Sequence, residues 1–259
     1  MNLGLTGRRA IVCASSRGLG RACAQALAAE GVDVVINGRD PVRLAEAQAA
    51  LRLVAVGRVT AVAGDITTES GRSALLTACP DPDILVNNNA GPSPAEFGTL
   101  DYDHWMSAVA GNMVAPLMLV RAVLPGMIAR HFGRIVNITS AMVTTPRPHM
   151  MLSAAARAGL TAALKGLSLD VARHNVTINN LLPERFDTDR QEQMARRTMA
   201  REGIDYAEAR ARQIASIAAR RLGDPAELGA SCAFLCSAHS GFISGQNLHL
   251  DGGSYPALI

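Results

Sequence analysis

Between residues 140 and 157 the chain gathers side chains that can handle a polarised carbonyl: Ser140, His149, Ser153 and Arg157. A serine hydroxyl can donate to a carbonyl oxygen, although at Ser140 it can equally cap the end of the strand RIVNITS. An imidazole with an ordinary pKa near ~6.5 can donate a proton at neutral pH, although an exposed loop histidine reads the same way. A helix starting at Pro148 would set His149 one turn before Ser153. Arg157 stays protonated, so it can donate to a ribose or a developing oxyanion but cannot pass a proton on. The hydroxyl of Ser153 is far too weak an acid to act alone. Upstream, Asn112 stands four residues before Pro116. Proline has no N–H, so the Asn112 carbonyl is freed to hold a water, or the helix simply kinks.

A second group suits phosphates. Cys13-Ala14-Ser15-Ser16-Arg17-Gly18-Leu19-Gly20 links the apolar run RAIVCA to the helical stretch GLGRACAQALAAEG. Small residues there let a backbone approach a pyrophosphate, and a helix N-terminus favours its charge. A dinucleotide without a 2′-phosphate wants a carboxylate at the end of the second strand. This chain has Asn37-Gly38-Arg39, and Asp40 before Pro41 is placed as a helix cap. Arg17 and Arg39 together would clamp a 2′-phosphate, so NADP(H) is preferred and NAD(H) remains possible.

The elements that must position these groups alternate regularly. Strands are expected at 8–14, 32–38, 58–65, 83–88, 133–140, 176–182 and 247–253. Helices are expected at 18–31, from Pro41, as one long rod over 103–131, and over 150–174. That order implies an α/β, doubly wound parallel sheet with helices on both faces, in a single domain over 1–259. Its ligands would bind at the carboxyl ends of the strands. The polar, Arg-rich stretch 185–222 is read as a helical lid over the site, or as a solvated helical hairpin.

Composition narrows the class. The net charge is +3 with basic residues dispersed, which speaks against a nucleic-acid surface. The 5 cysteines lack metal-like spacing, and Cys232 and Cys236 read as buried small residues, so no metal is expected. No signal layout and no long apolar run are evident, which points to a cytoplasmic protein without a membrane partner. Lys165 is the only lysine.

The SSRGLG turn, Asp65, LVNN, Asn112, NITS, the ARAGL helix, NNLLP and the closing GQNLHLDGG resemble the short-chain dehydrogenase/reductase family. The likeness is greatest to the branch similar to 3-oxoacyl-carrier-protein reductases. It implies a Rossmann-type dinucleotide-binding domain, a small-molecule or acyl-carrier-bound carbonyl substrate, and a homotetramer or dimer. By position, Ser15, Ser16, Arg17, Leu19 and Gly20 would line the phosphates, and Asp65 and Ile66 the adenine. Asn87, Asn89 and Gly91 would border a ribose, and Pro183 and Thr188 the carboxamide. Ser140 and Asn112 match the family's orienting serine and relay asparagine.

Several positions depart from that pattern. Ser153 and Arg157 stand where the family has its tyrosine and lysine. Ala14, Asn89 and Ala90 are bulkier than the usual residues, and Glu184 adds a negative charge after Pro183. Three functions follow. The first is an NADP(H)-dependent carbonyl reductase or alcohol dehydrogenase with an altered acid. The others are a non-redox lyase or isomerase, and a catalytically inactive cofactor-binding subunit.

Overall fold

The apolar runs become strands buried on both faces, as expected where helices cover both sides of a parallel sheet. The computed structural model describes residues 2–258. The strands are β1 Arg9–Val12, β2 Asp33–Gly38, β3 Val59–Ala63, β4 Ile84–Asn87, β5 Gly133–Ile138, β6 Val176–Pro183 and β7 Asn247–Leu250. Among the described residues they form one parallel sheet in the order β3-β2-β1-β4-β5-β6-β7. The chain winds outward from β1 in one direction and from β4 in the other. The crevice between those halves, at the strands' carboxyl ends, is where such a sheet holds ligands.

The helices are α1 Gly18–Ala29, α2 Pro41–Arg52, α3 Glu69–Ala78, α4 Tyr102–Val109, α5 Ala115–Ala129, α6 Met151–Val171, α7 Asp189–Glu202, α8 Tyr206–Ala215 and α9 Pro225–Cys236. On one face Leu27 of α1, Leu44 of α2 and Cys232 of α9 share one core cluster with Val34, Ile36, Val136 and Leu181 of the sheet. On the other, Leu75 of α3, Leu119 of α5 and Leu160 of α6 share a second cluster with Val35, Leu85, Ile135 and Ile178 of the sheet. All five cysteines are buried and unbridged. Asp40 caps α2 by accepting from Val42 and Arg43 N–H.

The rod expected over 103–131 is not uniform. Its helix widens into a π turn at Ala110–Val114, immediately before the missing N–H of Pro116. The combined stretch Tyr102–Ala129 is apolar and long enough to cross a membrane by composition alone, contrary to the sequence expectation. Its Leu119, Val120, Val123 and Met127 instead belong to the core. The 185–222 segment is a helical hairpin, α7 turning at Gly203 in the left-handed region (φ 67°) into α8.

Four asparagines span the sheet. Asn87, Asn137, Asn180 and Asn247 pair in register across β4, β5, β6 and β7. Each amide donates to the next carboxamide oxygen, at 2.9, 3.0 and 2.8 Å. At one end of this ladder the buried Asn87 Oδ1 has no partner within the protein.

Replacing the middle of the ladder, Asn137→Ala, leaves Asn87 Nδ2 and Asn180 Oδ1 without their ladder partner. Each orphaned buried group costs roughly 1–3 kcal/mol. Urea unfolding should therefore show a loss of about 2–5 kcal/mol. A variant as stable as the wild type would show the ladder to be idle.

Candidate active site

The turn between β1 and α1 is fixed from beneath. Ser15 Oγ donates to Val12 O (2.7 Å) and accepts from Asn37 N–H (3.0 Å), while Ser15 N–H donates to Asn37 O (2.7 Å). The Asn37 amide is consumed by the carbonyls of Val62 and Gly64. Gly20 has to be glycine: a Cβ there would lie 2.5 Å from Ala14 O and 2.7 Å from Asn88 Nδ2. Arg17 occupies the N-cap of α1 without a side-chain cap bond, and no acid sits in the first turn. The first-turn amides of Gly18, Leu19 and Gly20, which have no partner within the helix, are thus left for an anion. Ser16 lies over Gly38, at the end of β2.

Beside this turn stand two arginines. Arg39 is 74% exposed and its guanidinium lies 3.8 Å from Asp65. Asp65 accepts from the Thr67 N–H and hydroxyl, and these bonds, aided by Arg39, hold its carboxyl below the usual range. Arg17 pairs with Asp189 at the start of α7 (2.9 Å). Ile66 is buried beneath. The uncapped helix, the glycine-tight turn and the two exposed arginines together fit a dinucleotide phosphate, and the unpartnered Asn87 Oδ1, an acceptor, fits a ribose hydroxyl.

At the ends of β4 and β5, Arg157 dominates. Its side chain is 8% exposed. Nη1 donates to Ile138 O (2.8 Å) and Thr139 O (3.0 Å), Nη2 to Asn89 O (3.2 Å), and Nε to Ser153 Oγ (3.2 Å). Burial, with the Arg190 charge nearby, pushes Arg157 down to about 10, so it stays a cation at neutral pH. Ser153 is buried and holds its hydroxyl against Arg157. Gly91 passes close over both: a Cβ there would meet Arg157 Nη2 at 3.4 Å and Ser153 Oγ at 3.7 Å.

Ser140 is partly exposed, and its Oγ accepts from Met142 N–H (3.2 Å), so its own proton remains free. Asn112 is buried in the π turn, its amide 3.5 Å from Ala90 O and Ala108 O. Asn89 Nδ2 donates to Gly111 O (2.9 Å), which ties the same loop to the turn. Pro183 ends β6, and Thr188 sits at the N-cap of α7.

Two expectations need correction. His149 is not one helical turn before Ser153, because α6 begins at Met151 and His149 takes a left-handed backbone (φ 64°) outside it. Its ring is exposed and pairs with Glu96 (3.2 Å), while its carbonyl accepts from Ala95 N–H (2.9 Å). Glu184 is not an open charge near phosphates either. Its side chain is buried between Arg147 (2.6 Å) and Arg185 (3.5 Å), which neutralise it.

Other groups at the site left no sequence signal. Glu96 becomes visible only because two loops meet. The C-terminal tail returns to the loop carrying Ser140: Tyr255 stacks on His249, whose Nε2 is 3.4 Å from Thr144 Oγ1. Arg190 and Arg197 reach across to Pro92 and Ser93. Their seven-residue spacing was masked by the arginine-rich composition of that segment.

Comparison with known proteins now has a geometry to meet. A family model described as enoyl-(acyl carrier protein) reductase matches residues 13–255. The 3-oxoacyl-[acyl-carrier-protein] reductase FabG of Vibrio cholerae is 31% identical, covering 98% of this chain and 99% of that protein. The chain belongs to the short-chain dehydrogenase/reductase family. Another relative in the family, the NADPH-dependent reductase BacG of Bacillus subtilis, is 29% identical over 97% of this chain and 99% of its own. The L-sorbose reductase of Gluconobacter frateurii, solved with NADPH and L-sorbose, superposes with a TM-score of 0.94 at 28% identity, covering 100% of both chains.

The turn between β1 and α1 carries one strained residue that is not glycine. Ala14 has φ 44°, in the region that favours glycine. That conformation costs an L-residue roughly 1–2 kcal/mol, and glycine gives part of the gain back in chain entropy. Ala14→Gly should therefore raise the free energy of unfolding by up to about 1 kcal/mol, read by chemical denaturation. A loss of stability would show that the turn does not bear this strain.

Proposed function

We propose that the protein is an NADP(H)-dependent short-chain oxidoreductase, a carbonyl reductase or alcohol dehydrogenase, with Ser153 and Arg157 replacing the family's tyrosine and lysine. One observation carries the cofactor choice: no carboxylate is free at the end of β2. Asn37 is consumed by the turn, Asp40 by the cap of α2, and Asp65 by Thr67 with Arg39 alongside. A 2′-hydroxyl finds no acceptor dedicated to it, whereas a 2′-phosphate meets Arg39 and Arg17. The relatives named for NADPH, or solved with it, support the same preference.

Bound NADPH would supply the hydride for a carbonyl carbon. The chain's residues then divide the remaining work. The free proton of Ser140 orients the carbonyl oxygen. Arg157 keeps a fixed positive charge behind Ser153 and favours negative charge developing there. Ser153 accepts from Arg157 and contributes no acid. His149, steadied by Glu96, supplies the proton from the exposed side. Asn112 holds the 89–91 loop in place through Ala90. The hairpin of α7 and α8 covers the substrate, which is a small-molecule or acyl-carrier-bound carbonyl compound. Exposed Met106, Val114, Leu169 and Leu248 on α4, the π turn, α6 and β7 give a cytoplasmic homotetramer its contact faces.

A non-redox lyase or isomerase is the second reading, and an inactive cofactor-binding subunit the third. Both are favoured by the same observation, that Ser153 and Arg157 are tied to each other and to the backbone. Product appearing without any change in nicotinamide absorbance would select the lyase or isomerase.

In a screen of carbonyl compounds, Ser140→Ala and His149→Ala should each lower kcat by about 10²-fold or more while NADPH affinity stays the same. Wild-type rates for His149→Ala would remove it from the mechanism and leave solvent as the donor.

A further inference from the structure

Three guanidinium groups reach the segment that follows β4. Arg157 Nη2 donates to Asn89 O (3.2 Å), Arg190 Nη2 to Pro92 O (3.0 Å) and Arg197 Nη2 to Ser93 Oγ (3.5 Å). Among the described residues none of the three pairs with a carboxylate. Other arginines of the same hairpin do: Arg201 with Glu202, Arg210 with Asp187 and Arg212 with Glu208. Arg196 of α7 also lacks a carboxylate among the described residues but lies over the Tyr206 ring, so Arg190 and Arg197 are set apart by reaching the loop after β4.

They also share one place. Arg190 and Arg197 stand seven residues apart, two turns along one face of α7, and both point at residues 92–93. Arg157 lies behind them, 8% exposed, with one Nη2 proton left unbonded by the protein. Burial is the main cause lowering Arg157 and Arg190; the Arg190 charge adds to the first and the Arg197 charge to the second. Arg157 and Arg190, repelling one another and partly desolvated, are costly unless an anion arrives, and the exposed Arg197 extends the positive charge to the surface.

We propose that Arg190 and Arg197, backed by Arg157, form an anion subsite that binds a carboxylate or phosphate of the substrate next to its reacting carbonyl. The substrate's carbonyl rests on the oxidoreductase reading above; the anion subsite does not. The cofactor's own phosphates are the competing source of the same chemistry. They already have the uncapped start of α1 with Arg17 and Arg39. Asp189, adjacent to Arg190, turns to Arg17 on that side, whereas Arg190 turns to Pro92.

Levulinate and its uncharged methyl ester are suitable probes, titrated calorimetrically into the full-length protein with and without saturating NADPH. The acid should bind about tenfold or more tighter than the ester, a preference that fades with added salt. Arg197→Gln and Arg190→Gln should each remove most of that preference, Arg190→Lys should keep part of it, and NADPH affinity should not move. Equal binding of acid and ester, or no binding of either, would overturn the subsite. Loss of NADPH binding in the Arg190 and Arg197 variants would also overturn it, by assigning the arginines to the cofactor. Acid binding in a wild-type protein that fails to bind NADPH would sink the oxidoreductase reading and leave the subsite standing.

Discussion

A buried guanidinium with no carboxylate to answer it sets the terms of this site. Arg157 is held by the carbonyls of Ile138, Thr139 and Asn89 and by the hydroxyl of Ser153. Those four acceptors belong to the end of β5, the loop after β4 and α6, so one side chain brackets the elements that border the site. An ammonium has three donors and a guanidinium five in a fixed fork, so only arginine can make this set at once. A lysine there could lend and take back a proton, whereas this arginine can do neither and keeps its charge.

That fixed charge shapes what lies around it. The loop over it must be slim, and Gly91 passes within van der Waals reach of the guanidinium. Ser153 is drawn inward to serve Arg157. In the function proposed above the chemistry lies at the rim, where Ser140 keeps a free proton and His149 meets Glu96. Across the loop, α7 adds the cations of Arg190 and Arg197, which reach Pro92 and Ser93. Beyond the asparagine ladder, the phosphate turn is a separate device built from backbone amides and two exposed arginines.

Much of the fold was legible because its signals are local. Apolar runs between turn residues marked the strands, and Asp40-Pro41 marked a helix start that the structure confirms to the residue. Pro116 announced trouble in the long helix, and the π turn is its form. What was illegible depends on register or on loops meeting. The ladder of Asn87, Asn137, Asn180 and Asn247 exists only once four strands are aligned. His149 was misplaced because a left-handed residue precedes α6, which spacing cannot reveal. Glu184 was read by its charge alone, and its neutralisation by Arg147 comes from a loop that folds back.

The central claim is that a crevice whose Ser153 and Arg157 are tied to each other holds a phosphorylated dinucleotide. Calorimetric titration of the purified protein with NADPH, with NADH as the control, tests it without needing a substrate. The account predicts micromolar NADPH binding and NADH weaker by about tenfold or more, the discrimination expected from charge-assisted bonds to one phosphate. Equal affinity for the two would contradict the roles given to Arg17 and Arg39, and binding of neither would contradict the oxidoreductase assignment itself.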